Sequence, residues 1–145
     1  MKFYQGRFKP KNPRKYKGDP TKIIYRSSWE LSLMSYFDKN PDVIWWASEE
    51  VVIPYISPID GKKHRYFPDF MMHTKKGKTV MIEVKPSAQT REPQKKSRVT
   101  KKYLNEVKTW GINQAKWRNA KAVCDAKGWE FQIITEEHLF GKKTR

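Results

Sequence analysis

Two short stretches in the middle of the chain hold the side chains best suited to hydrolytic chemistry. The first is His64-Arg65-Tyr66-Phe67-Pro68-Asp69-Phe70, the second Thr79-Val80-Met81-Ile82-Glu83-Val84-Lys85-Pro86. Residues two apart on a strand share a face, so Glu83 and Lys85 point one way and Val84 the other. Asp69 follows a proline inside an aromatic run, and both residue types disfavour a strand interior. A strand end, a bulge or a bound cation would each account for it. Glu83 stands among Val80, Ile82 and Val84, where an unpaired carboxylate is costly. Two acids and a lysine at one end of a sheet suit a divalent cation that activates water for attack on a phosphate. The Val84 carbonyl would add a further hard-oxygen ligand. The plainer reading is an amphipathic hairpin in which Glu83 and Lys85 form a salt bridge.

The surrounding pattern supplies elements to position them. A helix is expected from Ser27 or Ser28 as N-cap to Asn40-Pro41, with apolar residues over much of its circumference. Glu30 lies in its first turns, where an acid is favoured by the helix dipole alone. On the residues alone, that local role and a role at the metal stand level. Residues 43–46 and 51–55 read as strands, followed by a turn at Asp60-Gly61 and further strands over 64–72 and 79–85. The connections are too short for crossovers, which predicts an antiparallel meander. A polar loop follows Pro86. Helical spacing then covers much of 97–127, interrupted at Trp110-Gly111, with Asn113 as cap of the second helix and Gly128 as its end. A last strand near 129–135 can add in parallel after this helical interval, and a short helix starts near Thr135. Cys124 reads as a buried helical residue.

The chain has 145 residues and a formal charge of +16, sufficient for one domain with a core. Such a charge repels itself and points to a polyanionic partner, nucleic acid first. Six tryptophans and a 14% aromatic content argue against a disordered polycation. The single cysteine excludes an internal disulfide and a cysteine-based zinc cluster. No run suits a membrane span or a secretory signal, so a reducing cytoplasm or the inside of an assembly is the expected setting.

Residues 1–22 are basic and rich in proline, an extended arm laid over a domain spanning 23–141, with a basic tail at 142–145. Phe3, Tyr4, Phe8 and Tyr16 argue that the arm is not free. Arg7, Lys9, Lys11, Arg14, Lys15 and Lys17 on the arm are candidate phosphate contacts. Lys95, Lys96, Arg98, Lys101 and Lys102 form a second basic patch. No glycine-rich phosphate loop follows a strand, the three histidines lack metal-ligand spacing, and no serine or cysteine is framed as a nucleophile. Acids and lysines must carry any hydrolysis.

Pro68-Asp69 followed by Glu83-x-Lys85 resembles the signature of the PD-(D/E)XK nuclease superfamily. The wider runs Tyr25-Arg26-Ser27-Ser28-Trp29-Glu30, Trp46-Ala47-Ser48-Glu49, Tyr66-Phe67-Pro68-Asp69-Phe70, Ile82-Glu83-Val84-Lys85-Pro86 and Ile134-Thr135-Glu136 are similar to TnsA-like endonucleases. With the basic arm and the short length, they look most like the head-completion nucleases of large tailed phages. The resemblance implies an α/β, restriction-endonuclease-like core with a mixed central sheet flanked by helices. It implies Glu30, Asp69 and Glu83 as the acidic set and Lys85 as the catalytic lysine. Asp69, Glu83 and the Val84 carbonyl would hold Mg²⁺, with Mn²⁺ a substitute. Glu49, Gln89, Gln114 and Lys116 take auxiliary places. The implied activity is cutting of double-stranded DNA ends with little sequence specificity. It would occur in host cytoplasm during phage assembly or in the virion, beside portal or head–neck proteins. A junction-resolving or transposon-type endonuclease, a non-catalytic DNA-binding connector and an RNA-binding structural protein are the alternatives.

Overall fold

The computed structural model describes residues 3–95 and 97–140. In chain order its elements are β1 (Phe3–Arg7), β2 (Ile24–Ser27), α1 (Ser28–Lys39), β3 (Val43–Ser48), β4 (Ile53–Ile56), β5 (Lys63–Tyr66), β6 (Phe70–Thr74), β7 (Thr79–Val84), α2 (Lys101–Lys127), β8 (Glu130–Ile134) and α3 (Glu136–Phe140). The central sheet has the order β3-β6-β7-β8, antiparallel except for the parallel β7–β8 pair. It is therefore mixed and flanked by helices, consistent with a restriction-endonuclease-like core.

Alternation along the strands divides the core into two layers, because neighbouring residues face opposite sides of a sheet. Val43, Trp46, Phe70, Val80 and Ile82 pack with Leu33, Met34 and Phe37 of α1. Ala47, Met71 and Met81 pack on the other face with Ala115, Trp117, Ala120 and Cys124 of α2. Cys124 is buried, as its helical spacing suggested. Among the described residues no helix is long and apolar enough to cross a membrane.

Two expectations about elements fail for identifiable reasons. The strand expected over 64–72 is two strands in different sheets. β5 pairs with β4 in a separate hairpin, whereas β6 joins the central sheet. Buried Pro68 lies in the gap, where its missing N–H cannot serve a ladder. The simple meander is thus interrupted by a hairpin whose Ile53, Tyr55 and Tyr66 lean on α2. The two helices expected on either side of Trp110-Gly111 are one helix of 27 residues. One interior glycine costs only about 1 kcal/mol relative to alanine, too little to break a helix with a packed C-terminal half. Asn113 is consequently no cap. It is buried mid-helix at 4% exposure. Gly128 does end the helix, in the left-handed conformation at φ 73°.

The N-terminal stretch is tied to this body. β1 pairs with β2, which the sequence pattern did not suggest. Tyr16 is buried, with its ring 4.7 Å from that of Trp46 in an edge contact, and Phe8 approaches the same indole at 5.9 Å. The strongest tie is to Asp38, buried near the end of α1. Its carboxylate accepts the Lys11 N–H at 2.9 Å and the Asn12 N–H at 3.0 Å. Lys15 Nζ donates to the Asp38 and Asn40 carbonyls at 3.0 and 2.8 Å, where orphan carbonyls and the helix dipole favour a cation.

Asp38→Ala should therefore detach residues 8–16 from α1. The expected cost is about 2–4 kcal/mol in urea unfolding, since charged hydrogen bonds and a buried network are lost together. Limited proteolysis should show new cleavage within that segment.

Candidate active site

Asp69, Glu83, Lys85 and Glu30 meet in one cleft of ≈ 260 Å³, together with Arg26, Val84 and Gln89. The break at Pro68 puts Asp69 just before β6, opposite the end of β7. The regular β6–β7 pairing stops at Phe70 and Ile82. Beyond it, the Asp69 side chain replaces a ladder partner, Oδ2 accepting the Val84 N–H at 2.7 Å. A strand residue sends its N–H and C=O to the same edge, so the Val84 carbonyl is also directed to the Asp69 side. The neighbouring Lys85 N–H turns to the opposite edge and donates to the Ile134 carbonyl of β8 at 2.9 Å.

Glu83 lies on the α2 face and is 5% exposed. Its Oε1 accepts the Tyr66 hydroxyl at 2.5 Å, and its Oε2 lies 3.4 Å from Lys85 Nζ. Glu83 and Lys85 thus share a face, while Val84 packs against the α1-side core. The Trp117 indole N–H lies near the Tyr66 oxygen without closing a hydrogen bond. Sequence pattern offered Tyr66 only as strand filler. Its role as donor to Glu83 follows from the separate hairpin, whose last residue it is.

Glu30 enters from the start of α1. Ser27 Oγ caps the helix by accepting the Glu30 N–H at 3.1 Å, and Glu30 Oε1 accepts the Arg26 N–H at 3.0 Å. This reciprocal cap explains an acid here on local grounds, yet Glu30 still lines the cleft. Glu49 stands outside the cleft lining and forms an ion pair with Arg26. Its φ of 54° is the one left-handed non-glycine conformation among the described residues. That conformation costs about 1–2 kcal/mol and lets its N–H reach the Asp69 carbonyl at 3.1 Å.

The carboxylates feel one another. Burial pushes Asp69 well above the ordinary carboxylate range, and the Glu83 and Glu30 charges push it further. Burial raises Glu83 too, against the opposing effects of the Tyr66 hydroxyl and Lys85. Glu30 is raised by burial, with added repulsion from Glu49 and Glu83. Burial and the Lys85 charge lower Lys116, whose ammonium lies 5.5 Å from the Tyr66 ring centre.

The auxiliary residues divide. Gln89 reaches the cleft, on a one-turn 3₁₀ segment, Ser87–Thr90. Glu136 holds that segment by accepting the Ser87 N–H at 2.8 Å and the Ser87 hydroxyl at 3.0 Å. Gln114 is half-buried on α2 and is not among the residues lining the cleft. Of the basic candidates, Arg7, Lys9, Lys11, Arg14, Lys17, Lys95, Arg98, Lys101 and Lys102 are exposed, while Lys15 serves the α1 terminus. Lys17 also lies 4.4 Å above the Trp45 ring. Lys96 and residues 141–145 fall outside the described residues.

The TnsA-like endonuclease N-terminal family matches residues 40–136, the span from β3 to the first residue of α3. The chain belongs to that family. It is also 44% identical over 140 residues to the head completion nuclease of Enterobacteria phage T4, covering 94% of this chain and 93% of that protein. No solved structure matches. The family match includes Asp69, Glu83, Lys85 and Tyr66 of this TnsA-like chain. Glu30 lies before it and reaches the cleft only through α1.

Crowded buried acids should cost this family member stability. Because the folded state raises the proton affinity of Asp69, stability falls as pH climbs from the ordinary 3.8 through the higher folded value. In chelator at neutral pH, Asp69→Asn should be more stable to urea unfolding than wild type by about 1–3 kcal/mol, the scale of an uncompensated buried polar group. The two curves should converge as pH falls toward 3.8.

Proposed function

We propose that this protein is a divalent-metal-dependent DNA endonuclease acting on DNA ends during phage head completion. One observation carries the reading: three mutually repelling carboxylates and a lysine converge in one cleft at the end of the sheet. The likeness to the head completion nuclease of the phage relative supports both the activity and its setting. The +16 charge supports DNA as the substrate.

The donor set suits Mg²⁺ or Mn²⁺ in kind, being carboxylate and carbonyl oxygens in a desolvated, under-neutralised site. Among the described residues, no three acidic, histidine or cysteine side chains already surround one point. Glu83 is turned onto Tyr66 and Lys85, and Asp69 onto the Val84 N–H. Asp69, Glu83 and the Val84 carbonyl would hold the ion, with Glu30 at the edge. When bound, such an ion lowers the pKa of a coordinated water and screens charge on the phosphate.

The chain's own groups then have definite tasks. Lys85, 3.4 Å from Glu83, can orient the attacking water or neutralise charge growing on a phosphoryl oxygen. Tyr66 fixes the Glu83 rotamer by donating to one oxygen, leaving the other facing Lys85. Arg26 and the exposed lysines of the N-terminal segment and of residues 95–102 contact phosphates without reading bases, so cutting has little sequence preference.

With Mg²⁺ or Mn²⁺, folded wild-type protein should cut linear, supercoiled or branched DNA, and Glu83→Gln should lose at least about 100-fold in rate. Mg²⁺ at 100 times its Kd should stabilise wild type by about 2.7 kcal/mol and leave Glu83→Gln unmoved. Folded wild type that cuts none of these substrates with either ion would overturn the reading. Tyr66→Phe, which keeps the packing and deletes the donor, should remain folded and lose about 10–100-fold in activity or metal affinity.

A further inference from the structure

A groove of ≈ 1090 Å³ lies between the loop after β7 and the N-terminal half of α2. Gln89 lines both this groove and the acidic cleft, so the two adjoin. The groove is slightly larger than pockets for drug-sized ligands, about 300–1,000 Å³, so a nucleotide fits with room to spare. Half-buried Trp110 lines one wall. Asn113 also lines it, 4% exposed, and its Nδ2 finds no hydrogen-bond partner among the described residues. A buried amide without a partner costs about 1–3 kcal/mol, so an external acceptor is the simplest compensation. Lys101 and Lys102 stand in the first turn of α2, which contains no acid, and add positive charge beside its free N–H groups.

Resting on the nuclease reading, we propose that this groove holds an unpaired nucleotide of a DNA single-stranded extension whose neighbouring phosphate enters the cleft. The wall chemistry selects this class. Arg91, Lys101 and Lys102 are opposed by Glu92 and Glu106, so charge alone is a modest attraction. An indole offers a stacking face to any base, and amides such as Asn113 and Gln89 match base edges. A base within a duplex cannot present its face to Trp110, because its neighbours already cover it. The groove therefore takes an end, flap or gap in preference to intact duplex. One phosphate would lie at the Lys101 end, the base on Trp110, and the chain would pass Gln89 into the cleft.

The test is metal-free binding by the full chain, read by anisotropy in chelator with labelled DNA. A duplex bearing a single-stranded extension of about six nucleotides, 5′ or 3′, should bind at least about fivefold tighter than the same duplex blunt, on the scale of one base–aromatic stack. Trp110→Ala should abolish that preference and keep the blunt affinity. Asn113→Leu, of similar volume, should weaken the tailed complex while melting no lower than wild type, which a purely structural asparagine would not do. Equal binding of blunt and tailed DNA, or a preference that survives Trp110→Ala, overturns the proposal. Neither result depends on cleavage, so failure here is separate from absence of nuclease activity.

Discussion

The hydrogen bond from the Val84 N–H to Asp69 joins a break in one strand to the end of another. Pro68 removes the backbone donor that would prolong β6, and an aspartate side chain takes over where the ladder stops. The substitution fixes one carboxylate oxygen, turns a backbone carbonyl toward the same space, and leaves the edge of the sheet open. Glu83 can approach from the α2 face and Glu30 from α1 only because that opening exists. The cleft is thus made by interrupting regular pairing, and the strained backbone of Glu49 across the gap belongs to the same interruption.

The acids of this cleft were legible in the sequence because they break local rules. Asp69 after a proline and Glu83 in an aliphatic strand each demand compensation, and the Glu83-x-Lys85 spacing puts two charges on one face. The mixed sheet was legible from short connections followed by a long helical interval. Other features depend on contacts distant in sequence and left no local mark. Asp38 looked like an ordinary acid late in a helix, but its partners are backbone N–H groups at Lys11 and Asn12. Tyr66 read as apolar filler, because nothing nearby shows that its hairpin leaves the main sheet. Trp110-Gly111 looked like a helix boundary, and tertiary packing along α2 overrode that weak preference.

The basic N-terminal segment serves two purposes with different residues. Its aromatic side chains and Lys15 attach it to α1 and the Trp46 side of the sheet, while exposed cations between those anchors face outward. A polycationic stretch held in this way does not have to lose its conformational freedom when a polyanion arrives.

The continuity of α2 also gives the protein a fixed scale. Lys116, whose charge is felt by Glu83, and Lys101, in the groove, are fifteen residues apart on one rod. At 1.5 Å per residue they lie about 22 Å apart along the axis, which is about six or seven base-pair steps of duplex DNA. Had Gly111 divided the helix, a hinge would have separated these positions. As built, the helix is a ruler, and the interval between them is set before any nucleic acid binds.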